Sequence, residues 1–489
     1  MKVTTSVRAV VVMLLPCAAS HMYPSYCAKD MRLSAIQPLD QTLLSTVELV
    51  QVQIVVRHGA RTPCYPDSCW KDYDEEWNCI ARELSRPSLT GLDDVPSRKH
   101  NKQALEFTKV FTAGGNIRRG NCSLGQLTDE GFAQEVQNAK HFRDAYVTSA
   151  VGLFAADEAV DLTDPSDVYF ESSDIPRTVQ SGQTIVQGMF PSVAHPTKPV
   201  PWHTQDKAVS TIFPNEANCP TLAAVGKQWL ASPEFHAWAV APANLELDAA
   251  LDETLTSFSA PSLFDCLMTS KCTDRRIPMS DELFRVTVHR EETSVLLQYL
   301  FHDSKYSKVA MKAFLQQAIT SRLLDAAENH HRRRPLRLAL YSVHDSSLMA
   351  LLAALGGDLW LTEWVPYASH MVFEVYRAKR SRQANTLSDH TTASIDHPSF
   401  FVRVLYQGQP LLLGPCTTEL CPVDELAALV DAMPSCHVPL TLSNHVAAVK
   451  PVPMMMLMLA FGVVVGGGIG YIVAWRRSLW SSTQVYQRL

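Results

Sequence analysis

The chain has 489 residues, 46% of them hydrophobic, which suffices for a core of two subdomains and excludes a small isolated module. A formal net charge of −6 excludes a nucleic-acid footprint, so clustered arginines read as local to one site. Neither an internal repeat nor a long low-complexity tract is present.

At the N-terminus, Lys2 and Arg8 precede the apolar run Ala9 to Pro16, and the small residues Ala18, Ala19 and Ser20 follow, which predicts a cleavable signal peptide over residues 1–20. Val50, Val52, Ile54 and Val56 alternate with Gln51 and Gln53 as a strand does, and the strand delivers Arg57-His58-Gly59-Ala60-Arg61-Thr62-Pro63 into a loop. Gly59 lets backbone approach a ligand where a Cβ would intrude. Arg57 and Arg61 offer planar donor forks suited to phosphate oxygens, and His58 between them is a nucleophile able to carry a phosphoryl group. Alone, the triplet reads as a solvated basic loop, since short motifs match by accident. Cys64, Cys69 and Cys79, around the acidic and aromatic stretch Asp67 to Trp77, outline a cysteine-rich lid.

Further along, Val168 to Glu171 reads as a short strand, and Pro176 and Arg177 open a helix whose Val179, Gly182, Val186 and Met189 recur at helical spacing. Residues 192–330 are mainly helical in pattern, as in Glu282 to Phe301 and Tyr306 to Ala327. Leu336 to Val343 is a second apolar strand, ending in His344-Asp345-Ser346-Ser347 before the helical run Leu348 to Leu355 and its stop, Gly356-Gly357. Such a junction presents free N–H groups and the positive end of a helix dipole to an anion. Facing a phosphate there, Asp345 is expected to stay protonated and act as a general acid; its structural alternative is a helix cap. Arg377 to His397 looks like a long hairpin loop between two strands. Strands alternating with helical stretches imply an α/β core with helices on both faces.

The C-terminal end predicts a membrane anchor. Pro451 to Trp475 carries no charge and is long enough to span, with Arg476 and Arg477 placing the tail in the cytosol. This makes a single-pass type I protein of the endosome, lysosome or cell surface, with a lumenal or extracellular ectodomain. Gly462, Gly466 and Gly470 share one helix face and allow a homodimer. Tyr486-Gln487-Arg488-Leu489 resembles a tyrosine-based sorting signal, with Tyr486 and Leu489 as the residues a sorting adaptor reads. Of 12 cysteines, Cys17 falls in the signal, and the others lack paired metal-ligand spacing, which favours disulfides over zinc. Cys219, Cys266 and Cys272 are expected to bridge around the helical region, with connectivity open. Asn121-Cys122-Ser123 is a glycosylation acceptor.

Taken in order, Arg57 to Pro63, Ser172 to Arg177 and His344-Asp345 resemble the histidine acid phosphatase family. Gly125-Gln126-Leu127-Thr128 with Gly131 and Gln134 resembles the family's helix-opening segment, and Pro366 to His370 leading to Phe373-Glu374 resembles its late strand. Gly414-Pro415-Cys416 with Cys421-Pro422 resembles its C-terminal disulfide loop, which implies a Cys416–Cys421 bridge. The resemblance spans about residues 47 to 436 and is nearest to the membrane-anchored lysosomal acid phosphatases. It implies a central sheet with a core in two parts, 47–191 and 331–436, an inserted helical cap over 192–330 and a stalk over 437–450. It also implies that His58 becomes phosphorylated, that Arg57, Arg61, Arg177 and His344 hold the phosphate, that Asp345 is the acid, and that no metal or cofactor is needed because the arginines neutralise the charge. The substrate is then a small-molecule or peptide phosphate monoester. One departure stands out: Glu171-Ser172-Ser173-Asp174-Ile175-Pro176-Arg177 replaces Arg-Ser-Thr-Asp-x-Asp-Arg, so only Arg177 carries over there. Two alternatives differ in class. A phosphoglycerate-mutase-like phosphotransferase is opposed by the signal peptide, and a non-catalytic receptor or adhesin is opposed by an intact His58 with Asp345.

Overall fold

A computed structural model describes residues 25–66, 69–79, 111–154, 158, 160–191, 199–255, 260–328, 336–379 and 399–436. The expected signal peptide, stalk, membrane span and tail, with Tyr486 and Leu489, lie outside these residues. Among the described residues no helix is long and apolar enough to cross a membrane.

The chain approaches the sheet through α1 (Gln41–Thr46), capped by the Asp40 carboxylate on the Thr42 amide, and passes directly into β1 (Val47–Arg57). After the lid region, Thr128 caps α2 (Asp129–Phe142) by accepting from Gly131 N. Next come β2 (Val168–Ser172) and α3 (Pro176–Met189), with Pro176 in the first turn as its missing N–H predicts. A helical region follows: α4 (Pro220–Leu230), α5 (Pro233–Ala239), α6 (Pro242–Thr254), α7 (Ala260–Cys272), α8 (Asp281–Phe314) and α9 (Ser321–Glu328). His302, Asp303 and Ser304 take positive φ and break α8 between the two runs that the sequence pattern separates. The chain then returns to the sheet with β3 (Leu338–Val343), α10 (Asp345–Gly356), β4 (His370–Ala378), β5 (Phe400–Tyr406), β6 (Gln409–Leu411), β7 (Cys421–Pro422) and α11 (Val423–Asp431). Gly357, at φ +58, ends α10 in a conformation that favours glycine.

These strands form one mixed sheet in the order β2-β3-β1-β4-β5-β6, with β7 on β5. β2, β3 and β1 are parallel, and β4 and β5 form an antiparallel hairpin in register from Met371↔Tyr406 to Arg377↔Phe400. Helices cover both faces. Val52, Ile54 and Val56 pack with Phe142 of α2 and Ile185 of α3, whereas Val55 packs on the other face with Phe314 and with Leu351 of α10. Gln51 and Gln53, the polar members of the β1 alternation, are therefore buried rather than solvent-facing, because a central parallel strand is covered on both sides. Gln51 Nε2 donates to Leu336 O at 2.7 Å, and Gln53 Nε2 donates to Gln51 Oε1 at 3.0 Å.

The helical region divides by what it packs against. Residues 306–323 join the sheet cluster through Met311, Leu315 and Ile319, while α6, α7 and the start of α8 form a separate cluster with Tyr26 and Trp70. Disulfides tie these parts together: Cys27–Cys272, Cys69–Cys266, Cys79–Cys122, Cys219–Cys436 and Cys416–Cys421. Cys219, Cys266 and Cys272 thus each bond a cysteine outside the helical region, Cys436, Cys69 and Cys27 respectively, which supplies the connectivity that the sequence leaves open. Cys64 is unpaired.

Candidate active site

The C-terminal ends of β1, β2 and β3 lie side by side, with Arg57 opposite Val343 and Ser172 opposite Ser342. His58 N donates to Val343 O at 3.1 Å, so His58 and His344 leave the sheet together. Their rings meet edge to face with centroids 5.5 Å apart. Arg177, from the first turn of α3, reaches the same place, its Nη2 lying 3.5 Å from His344 Nδ1. Asp345 opens α10 beside them. Thus Arg57, His58, Arg61, Arg177, His344 and Asp345, spread over 289 positions of sequence, come together at the end of the parallel strands where such sheets bind ligands.

His58 is 1% exposed, and its Nδ1 lies 2.8 Å from Gly59 O. A carbonyl only accepts, so Nδ1 carries the proton and the Nε2 lone pair is left for attack. Burial pushes His58 well below the ordinary histidine range, helped by the charges of Arg177, Arg57 and His344, so the ring stays neutral in acid. The loop around it is held from α2 and α3: Ala60 N donates to Gln134 Oε1 at 2.8 Å, and Gly59 N to Ser181 Oγ at 3.2 Å. A Cβ on Gly59 would sit 2.4 Å from Gly131 O. That corrects the expected role of Gly59, whose bare Cα admits helix α2 rather than a ligand.

Arg57 has no exposed side-chain surface and is already engaged: Nη1 donates to Val365 O at 2.5 Å, and Nη2 to Tyr26 Oη and Asp345 Oδ2, each at 2.8 Å. Its guanidinium lies over the Tyr26 and Tyr367 rings at 4.6 and 4.3 Å. Arg61 Nη1 donates to Asp265 Oδ1 at 2.6 Å, and Asp265 Oδ2 accepts from Cys64 N. What the three arginines share is an Nε atom that is buried and has no hydrogen-bond partner. Three buried donors and three cations around one histidine fit an anion with several acceptor oxygens. Burial and the Arg61 charge lower Arg177 to about 10, a measure of how crowded the positive charge is.

At Asp345 two influences oppose each other. Burial pushes its carboxyl up, but Arg57 and Arg61 outweigh burial and hold it at about 2, so it is an ionised partner of Arg57. Oδ1 accepts from Ser346 N at 2.8 Å and Oδ2 from Trp364 Nε1 at 3.2 Å. His344 is ordered by residues the sequence left unassigned. Thr178 Oγ1 gives its proton to a backbone carbonyl, so it accepts from Ser173 Oγ, which in turn accepts from His344 Nε2–H, both at 2.8 Å. His344 Nδ1 is then a lone pair facing Arg177.

Tyr26, Ser173, Asp265, Trp364 and Tyr367 were not legible as site residues, because each acts through another side chain. The lid is pinned rather than loose, with Cys69 bonded to α7 and Cys79 to Cys122. Burial pushes the Cys64 thiol up to about 11, so it is not a thiolate nucleophile. Asn121 is exposed, and its Oδ1 accepts from Cys79 N at 2.7 Å. Among the described residues, no group of three or more His, Cys, Asp or Glu side chains could hold a metal.

The family profile described as histidine phosphatase superfamily (branch 2) matches residues 48–407. This chain belongs to that superfamily. Counting factor 60 of Dictyostelium discoideum is 27% identical to this histidine phosphatase over 408 residues, covering 82% of this chain and 88% of that protein. Lysophosphatidic acid phosphatase type 6 of Mus musculus is 23% identical over 403 residues, covering 80% and 85%. A phytase from Citrobacter braakii aligns with a TM-score of 0.49 at 15% identity, covering 79% of this chain and 98% of that one. This histidine phosphatase is accordingly a hydrolase of phosphate monoesters.

Proposed function

We propose that the enzyme works by double displacement through a phosphohistidine. The observation that carries this reading is the His58 Nε2 lone pair, freed by the Nδ1–H bond to Gly59 O and placed among three arginines with unpaired Nε donors. Nε2 attacks phosphorus, the ester P–O bond breaks, and the arginines take up charge on the non-bridging oxygens. Asp345 rests as a carboxylate, so the proton for the leaving oxygen must arrive with the substrate. A phosphate monoester loses its second proton near pH 6, so in acid it enters as a monoanion. The bound anion offsets the arginine charge that keeps Asp345 ionised, and the proton passes to Asp345 and on to the leaving alcohol. The resulting carboxylate then takes a proton from the water that cleaves the phosphohistidine. Burial and the Arg177 charge hold His344 well below the ordinary histidine range, so it donates to phosphate from Nδ1 only after the bound anion has offset that charge. Both requirements place optimal activity in acid.

Five disulfides among the described residues support a lumenal or extracellular setting. With the charge-free stretch 451–475 and its following arginines, they support a type I anchored ectodomain. Replacing His58 by Ala tests the chemistry. Turnover is abolished while vanadate still binds, because the arginines remain, and acid quench of the wild type on a labelled substrate traps label on His58. A His58→Ala chain keeping roughly a tenth of wild-type kcat refutes the covalent route.

A further inference from the structure

Asp345 also borders a space that none of the three arginines lines. There a cavity of about 50 Å3 is walled by Asp345, Ser346, Trp364, Pro214, Tyr299 and Gln298. It shares a wall with the proposed proton donor, the group that must face the departing alcohol. Gln298 comes from α8, one turn beyond buried Ser294 on the same helix face. It is 3% exposed, and its Oε1 is buried without a hydrogen-bond partner. A buried polar atom left unpaired is costly, so a carboxamide of this kind fits an occupant that supplies its partner.

Resting on the reading of Asp345 as the acid, we propose that Gln298 selects the leaving group. The preferred substrates are esters of compact alcohols bearing a hydroxyl on the carbon next to the ester carbon, as in glycol, glycerol and sugar phosphates. Size limits the first atoms: holding one water takes about 10–15 Å3 of such a cavity, so this one accepts a fragment of roughly three or four non-hydrogen atoms before the chain must turn outward. Chemistry sets the hydroxyl, which both donates and accepts and so satisfies the carboxamide in either orientation of its O and N.

The test compares 2-hydroxyethyl phosphate with ethyl phosphate on the full chain. The wild type prefers the hydroxylated ester by about 5–150-fold in kcat/KM, the range that an unpaired buried acceptor corresponds to. Gln298→Leu collapses the preference to within about twofold while inorganic phosphate still binds, and Gln298→Asn falls between. Equilibrium binding of both esters to the His58→Ala chain, read by calorimetry, repeats the ranking without turnover. Equal kcat/KM in the wild type, equal affinities in His58→Ala, or a preference that survives Gln298→Leu overturns the assignment. If neither ester is turned over, the phosphohistidine reading fails while the binding comparison still decides the pocket. If Gln298→Leu does not fold, the wild-type and His58→Ala comparisons decide it.

Discussion

At Asp345 burial and charge pull in opposite directions, and two guanidinium groups win, leaving a carboxylate at about 2 where the proposed mechanism asks for a proton donor. The conflict resolves only if substrate brings both the proton and the negative charge that lets Asp345 hold it. An amide at this position keeps the shape but can neither deliver nor accept that proton. Asp345→Asn should therefore slow hydrolysis of alkyl phosphates, whose alkoxides leave poorly, by on the order of 10²–10⁴-fold. With p-nitrophenyl phosphate the loss should be smaller, and the phosphoenzyme should accumulate because water is no longer activated. Steady-state rates on both substrates with acid-quench trapping decide the point; an equal loss on both with no intermediate makes Asp345 a positioning partner of Arg57 and the α10 N-terminus.

Helix α2 meets the catalytic loop backbone to backbone. A Cβ on Gly131 would lie 2.2 Å from Ala60 O, and one on Gly59 would lie 2.4 Å from Gly131 O. Alanine at position 131 gains up to about 1 kcal/mol of helix propensity, but a clash with backbone at 2.2 Å cannot be relieved by a side-chain rotation, and overpacking costs ~1–3 kcal/mol. Since Ala60 is two residues from His58, the displacement reaches the proposed nucleophile, where a shift near 1 Å costs about 10²-fold in rate. Gly131→Ala is expected to lower the melting temperature and cut kcat at least tenfold. Gly414→Ala, where no atom lies within 4 Å of the added Cβ, serves as the neutral comparison. Wild-type kcat in Gly131→Ala disproves the steric argument.

Across the whole molecule, stability should favour acid through Glu135. This residue is fully buried on α2, where burial pushes its carboxyl up to about 8 against the hydrogen bonds of Asn138 and Ser181. Ser181 is also the acceptor for Gly59 N, so the acid sits behind the catalytic loop. Its folded value lies above the ordinary 4.5. Between about pH 4.5 and pH 8 the folded chain therefore keeps a proton that the unfolded chain has lost. Stability is full below that window and falls as pH rises through it, by at most about 1.4 kcal/mol per unit. Chemical denaturation of wild type and Glu135→Gln across this range should show the wild type losing stability relative to the variant as pH rises; parallel curves mean that Glu135 ionises freely in the fold.

By itself the sequence determined the strands that end at Arg57, near Glu171 and at Val343, the start of α3 at Pro176 and the residues that meet at the candidate site, because strand alternation, Pro176 and the Arg57 to Pro63 loop are local signals carried by adjacent residues. What those groups do in the resting site was a tertiary matter. Arg57 is taken up by Tyr26, Val365 and Asp345, Arg61 by Asp265, and His344 by Ser173, partners 31 to 308 positions away in all but the bond from Arg61 to Thr62. The ionisation of Asp345, the real neighbour of Gly59 and the unpaired Gln298 amide all depend on which surfaces packing brings together. Charge at a buried site is set by distance and desolvation, and neither is written in a local pattern.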